Sequence, residues 1–260
     1  MMSGAAPPDG DRGLRLRLAG TRFTTVRWFD EIDSTNRYAA DAATAGLVVV
    51  ADVQLAGRGR LGRSWHAPPG ASLLASVVVG IDDARDALPL VTPAAALAAS
   101  DALAALAGID ARLKWPNDLV VDERKLAGVL AESVAGGSLV VVGMGLNVAW
   151  AAFPDELTDI ATSCNLLSTR TVDRAGLVVE WLTRYDALLD QIATRAGRRA
   201  LRDACATRSA TLGRRVRVEM PNHVIEGTAT GLLPNGMLEV TGDDGAHTIA
   251  AGDVVHLRSS

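Results

Sequence analysis

Hydrophobic positions along the chain fall into two rhythms. Residues 24–29 alternate β-branched and aromatic side chains with polar ones, a period of two that predicts a strand. Residues 47–53 form a β-branched apolar run that predicts a buried strand, and 72–79 predict another. Between the first two, Ser34 offers a helix N-cap, residues 37–45 are alanine-rich, and Gly46 closes them. A longer helix is predicted over 92–107, with Thr92 as cap, Pro93 in the first turn and Gly108 as stop. Residues 112–115, 119–121, 126–132 and 139–148 are short, rich in Val or Leu and separated by turn residues, which predicts a meander of strands. Two helices are expected over 173–193, which is amphipathic, and 198–210. Beyond Gly213 the rhythm shortens to five strand candidates at 216–218, 224–229, 237–240, 247–250 and 254–257. Asn235-Gly236 and Asp244-Gly245 supply hairpin turns. Five strands in about 45 residues predict a small closed β-barrel. The division expected is a disordered tail over 1–22, a large mixed domain over 23–212 and a barrel domain over 213–260.

Composition narrows this picture. With 260 residues and 48% hydrophobic content, the chain can bury a sizeable core. Its formal net charge of −4 gives no global attraction to nucleic acid, so any basic function must be local. Cys164 and Cys205 stand far apart and form neither a disulfide framework nor a zinc motif, which fits a reducing cytoplasmic compartment. The opening MMSGAAPPDGDRG has no apolar segment after a basic start, so it is not a signal peptide. The apolar stretch 88–109 is interrupted by Pro89, Pro93 and Asp101, and reads as a soluble helix instead of a membrane span.

Chemistry concentrates in three places. Residues 57–65, GRGRLGRSW, combine glycines that let the backbone approach a ligand closely with arginines whose planar forks suit phosphate or carboxylate oxygens. No Gly-Lys-Ser/Thr ending is present and a strand follows instead of a helix, so this is neither a P-loop nor a dinucleotide fingerprint. Composition alone leaves a solvated flexible loop or a nucleic-acid contact open. Trp65 and the apolar strands on both sides tie the segment to a core and favour a small anionic ligand. The second cluster is Lys114-Trp115-Pro116-Asn117-Asp118, followed by Lys125-Leu126-Ala127-Gly128. A proline turn does not need the lysine and the carboxylate around it, and Gly128 within a strand marks a bulge or a close backbone approach. The third, GMGLN over 143–147, sets two glycines and an amide inside an apolar strand.

GRGRLGRSW, KWPND and KLAG in this order, with Ser34-Thr35-Asn36 upstream and GMGLN downstream, resemble the signature motifs of biotin protein ligases. The resemblance spans roughly 24–257. It implies an α+β fold: a catalytic domain like that of class II aminoacyl-tRNA synthetases, with a mixed sheet and flanking helices, plus the small C-terminal barrel. It also implies a two-step reaction. Biotin and ATP, with Mg²⁺, form biotinoyl-5′-AMP and pyrophosphate. A lysine of a biotin carboxyl carrier domain, from an acyl-CoA or pyruvate carboxylase, then attacks the mixed anhydride.

By the same resemblance, Ser34, Thr35, Asn36 and Gln54 bind the biotin ureido ring, and the loop backbone at Gly57, Arg58, Gly59 and Arg60 closes over it. Lys125 stands between the biotin carboxylate and the α-phosphate. Trp65 covers the ligand, Asn147 contacts the phosphate or ribose region, and Arg58, Arg60 and Arg63 hold pyrophosphate. Lys114, Asn117 and Gly128 complete the binding set, and Asp118 orients or deprotonates the acceptor lysine, making Lys125, Asp118 and Arg60 the catalytic group. Metal ligands are not assigned. About 23 residues precede the first strand, too few for a helix-turn-helix domain, so no DNA partner is expected; no membrane partner is expected either, and the assembly is a monomer or weak homodimer. The competing readings are a lipoate ligase or octanoyl transferase and a non-enzymatic biotin or nucleotide binder. Lys125 separates the last, because a mere binder needs no cation at a carboxylate–phosphate junction.

Overall fold

The computed structural model describes residues 10–80, 85–220 and 223–257. Its larger part is a seven-stranded mixed sheet in the order β1-β2-β3-β7-β6-β5-β4. The strands are β1 (Thr25–Ile32), β2 (Leu47–Gln54), β3 (Ser72–Gly80), β4 (Arg112–Lys114), β5 (Asp118–Val121), β6 (Arg124–Val134) and β7 (Leu139–Asn147). Only β1 and β2 run parallel; the other neighbours are antiparallel, and β4 to β7 form the expected meander.

Helices α1 (Gly10–Arg17), α2 (Thr35–Ala42), α3 (Val91–Ala107), α4 (Asp155–Thr158), α5 (Cys164–Leu167), α6 (Arg174–Ile192) and α7 (Arg195–Thr207) surround the sheet. Both faces are covered, which is why β2 reads as a continuous apolar run. Val48 and Val50 face the main core with α3 and α6, while Leu47 and Val49 join Ala39 of α2 on the other side. Alanine-rich α3 is the core helix of the main face, with Ala94, Ala95, Ala98, Ala99, Ala102 and Leu103 buried. Two fully buried aromatics of α6 fasten it, the Trp181 indole donating to Ala95 O at 3.1 Å and the Tyr185 hydroxyl to Val91 O at 3.1 Å.

Two expectations need correction. The tail expected to be disordered over 1–22 contains α1 from residue 10 onward; residues 1–9 lie outside the described residues. Leu14 and Leu18, one helical turn apart, are buried in the main core, and Asp11 accepts the Trp28 backbone N–H at 2.8 Å on strand β1. Glycine, aspartate, Arg12, Arg15 and Arg17 fill all but one of the remaining positions, so the segment has no hydrophobic rhythm of its own and its order comes from docking.

The second correction concerns the C-terminal strands, β8 (Arg215–Met220), β9 (His223–Leu232), β10 (Leu238–Gly242), β11 (Gly245–Ile249) and β12 (Asp253–His256). They form an open antiparallel sheet, β11-β10-β9-β8-β12, whose outer strands do not pair with each other among the described residues. Residues 250–252 alone join those outer strands and span at most about 14 Å when extended, so the sheet curls strongly around Val216, Val218, Ala229, Leu238, Val240, Ile249 and Val254 without closing its ladder. The same short link brings Asp253 against the larger sheet.

Candidate active site

Where β2 ends, α2 begins and the arginine loop folds back, a cavity of about 340 Å³ opens over the meander strands. Of the residues singled out above, Ser34, Thr35, Asn36, Gln54, Arg58, Gly59, Arg60, Arg63, Trp65, Lys114, Asn117, Asp118, Lys125 and Gly128 all line it.

Its floor is built by the start of α2. Ser34 caps the helix by accepting the Arg37 N–H, which places Thr35 and Asn36, both buried, at the cavity wall. Gln54 Oε1 accepts the Thr35 N–H at 2.8 Å and the Thr35 hydroxyl at 3.0 Å. Ser76 Oγ of β3 lies 2.6 Å from Asn36 Oδ1 and 2.7 Å from Thr35 Oγ1. Two glycines of β7 make room for this arrangement. A Cβ on Gly143 would fall 2.1 Å from Asn36 Oδ1, and one on Gly145 2.6 Å from the Trp65 ring. Trp65 therefore lies flat on bare strand backbone. Its buried Nε1 has no hydrogen-bond partner among the described residues.

At the opposite wall Lys125 Nζ sits 2.8 Å from Asp118 Oδ1 and 5.5 Å from the centre of the Trp65 ring. Gly128, paired with Asp118 across β5 and β6, is what lets this pair form. Its missing side chain would come within 3.2 Å of Lys125 Nζ and 3.4 Å of Asp118 Oδ1. Asn117 turns its amide inward, donating to Val129 O at 2.8 Å and accepting from Arg60 at 3.2 Å.

The arginine loop is a closed turn, with Arg58 bridging Ser64 and Gly59 N donating to Arg63 O at 2.7 Å. Each arginine meets a protein carboxylate: Arg58 pairs with Glu132 at 3.0 Å, Arg60 approaches Asp253 at 3.9 Å, and Arg63 pairs with the same Asp253. Burial lowers the Arg60 pKa, Asp253 and Asp118 raise it, and neighbouring Arg63 lowers it further; the net shift is downward from a value high enough that the guanidinium stays a cation. Asp253, Val254 and Val255 of β12 thus join the cavity wall, so the small sheet completes the site.

Two expected site residues stand apart from the cavity. Asn147 is buried behind it, donating to Thr162 O at 3.0 Å and accepting from Ser72 Oγ at 3.2 Å; its amide fixes the end of β7 instead of facing a phosphate or ribose. Gly57 closes the base of the loop: its carbonyl accepts the Trp65 N–H at 3.0 Å, and a Cβ there would strike Trp65 O at 2.4 Å. Three contributors were missed from sequence. Ser76 and Glu132 are polar interruptions within apolar strands, a signal that could have found them. Asp253 carries no such signal, because its place depends on how the small sheet docks.

Comparison with known proteins agrees with this geometry. A profile of the biotin/lipoate A/B protein ligase family matches residues 28–148, and one of the biotin protein ligase C-terminal domain matches 211–257. The biotin–[acetyl-CoA-carboxylase] ligase of Mycobacterium tuberculosis is 37% identical, over 97% of this chain and 97% of that protein. The enzyme of the same name from Paracoccus denitrificans is 33% identical, over 85% and 96%. A biotin protein ligase of Aquifex aeolicus, solved in complex with biotin and ATP, superposes with a TM-score of 0.81 at 28% identity, covering 91% of this chain and all of that one. Sequence, fold and the placement of the arginine loop against the Lys125–Asp118 pair agree, and the chain belongs to the biotin protein ligase family.

Proposed function

We propose that the protein joins biotin to AMP and then passes it to a lysine of a biotin carboxyl carrier domain of an acyl-CoA or pyruvate carboxylase. The observation that carries this reading is the Lys125–Asp118 pair, set between an amide- and hydroxyl-lined floor and a triple-arginine loop. A carboxylate is a poor electrophile and must be activated by phosphoryl transfer, which brings two anions together. Lys125 is the cation at their junction. One unit charge at about 4 Å is worth about 4 kcal/mol at an effective dielectric near 20, so its removal is felt mainly in the transition state. The floor residues Ser34, Thr35 and Gln54 offer donors and acceptors to the ureido ring, Trp65 covers the ligand, and Arg58, Arg60 and Arg63 exchange protein carboxylates for phosphate oxygens.

In the second step Asp118 receives the acceptor lysine. An ordinary lysine has a pKa of about 10.4, leaving about one in a few thousand neutral at pH 7, so a carboxylate that orients the ammonium and accepts its proton during attack removes a large handicap. Mg²⁺ enters as the counter-ion of the triphosphate; among the described residues no group of three or more His, Cys, Asp or Glu is placed to hold a metal on its own. In this reading residues 23–212 form the catalytic domain, akin to class II aminoacyl-tRNA synthetases, and 213–260 supply Asp253 to its wall. The enzyme works in the cytoplasm as a monomer or weak dimer.

The test is transfer of labelled biotin from biotin and MgATP to a purified carrier domain, with lipoate and octanoate as competing substrates. Labelling by the wild type and severe loss in Lys125→Ala support the reading. Transfer of lipoate or octanoate in place of biotin overturns it.

A further inference from the structure

Glu132 lies on β6 beyond the motifs, yet one of its oxygens serves both halves of the cavity. Oε2 accepts the Asn36 side-chain N–H at 2.7 Å and an Arg58 guanidinium N–H at 3.0 Å. Asn36 is buried, and its Oδ1 is held by Ser76, which continues through Thr35 to Gln54. Arg58 belongs to the self-closed arginine turn. The floor of the cavity and its cover are therefore joined through a single carboxylate oxygen. An exposed Arg–Glu pair is worth little by itself, and both side chains here are partly exposed. The second bond changes this, because the same oxygen fixes which way a buried amide points, and a charge-assisted bond to a buried group is among the stronger ones.

We infer that Glu132 is a positioning residue for the biotin end of the site, coupling the orientation of Asn36 to closure of the arginine loop. The inference rests on the function proposed above. Glu132→Ala releases both partners: the KM for biotin rises about tenfold, while the KM for ATP does not rise, because an Arg58 freed of its carboxylate stays available to phosphate. Loop release is read independently of activity, by tryptic cleavage after Arg58, which becomes faster in Glu132→Ala and needs more biotin to suppress. Glu132→Gln keeps an acceptor for Asn36 but no charge for Arg58, so it restores the biotin KM and leaves cleavage fast.

A Glu132→Ala protein with wild-type biotin KM and wild-type cleavage overturns the inference, and so does a parallel rise of both KM values with a lowered Tm. If Glu132→Ala does not fold, Glu132→Gln decides: unchanged cleavage after Arg58 overturns the coupling. Failure of the wild type to transfer biotin is a separate outcome that sinks the proposed function itself.

Discussion

Gly128→Ala isolates the position of one charge. A Cβ on residue 128 falls 3.2 Å from both Cε and Nζ of Lys125 and 3.4 Å from Asp118 Oδ1. The atoms it meets are the end of a flexible side chain and a carboxylate, not backbone, so the strand has no need to move. Alanine also costs less than glycine in backbone entropy, and stability should change by less than about 1 kcal/mol. The cheapest relief is for Lys125 to swing away from Asp118 and from the Trp65 face. If its charge moves from about 4 Å to about 6 Å from the reacting oxygens, the interaction at an effective dielectric near 20 falls from about 4.2 to about 2.8 kcal/mol. That difference of about 1.4 kcal/mol is roughly a tenfold drop in rate. The assay is rapid-quench formation of biotinoyl-AMP at saturating biotin and MgATP, with Tm measured beside it. A slowed first step with an unchanged Tm is expected. Adenylate formation at the wild-type rate would refute the reasoning, because Lys125 would then not be acting from this position; a collapse of Tm would make Gly128 a folding residue.

Other outcomes follow from the same geometry. Asp118→Asn should form biotinoyl-AMP within a few-fold of the wild-type rate but slow its transfer to a carrier lysine by about 10²-fold or more, and equal loss in both half-reactions would contradict the division of labour. Leu14→Ala should cost about 2–5 kcal/mol in urea denaturation, because the side chain is buried in the main core; a loss near zero would return the segment to a tail. Stability should also depend on pH through His256, whose pKa burial lowers, with Lys114 and Arg214 adding to the effect and Glu123 opposing it. Its ring donates to Glu123 at 2.8 Å and faces the Thr211 hydroxyl at 3.3 Å. Because the folded state resists the proton, this contribution is complete above the unfolded value of about 6.5 and is lost as pH falls through that value toward the lower folded one. Tm measured between pH 7.5 and 5.5, about one unit either side of that value, should fall less in His256→Gln than in the wild type. Parallel curves would remove His256 as the cause.

What could be read from the sequence was whatever is local. The Ser34 cap, the Gly108 stop and the four meander strands depend on neighbours a few residues away, and each lies within a few residues of its expected place. The motifs were equally legible, because glycines at 128, 143 and 145 mark positions where another group needs the space of a Cβ. Long-range features were hidden. Helix α1 buries only Leu14, with Leu18 buried just past its end and Leu16 exposed, so it gains order by docking on β1 and α6. Asn147 shows how a motif can mislead. Its amide within GMGLN reads as a ligand contact, yet it is engaged by Ser72 and Thr162, partners 75 and 15 residues away in sequence. The carboxylates opposite the arginine loop belong to the same class. A loop with three arginines, standing alone, would repel itself. Glu132 and Asp253 relieve that repulsion from two different sheets; Glu132 shows in the sequence as a polar interruption of an apolar strand, but nothing local ties either carboxylate to the loop. Under the proposed function, an incoming phosphate must displace a carboxylate before it gains an arginine. Affinity then depends on the difference between two ion pairs, which is small, and not on the full strength of one, so the charged products are able to leave.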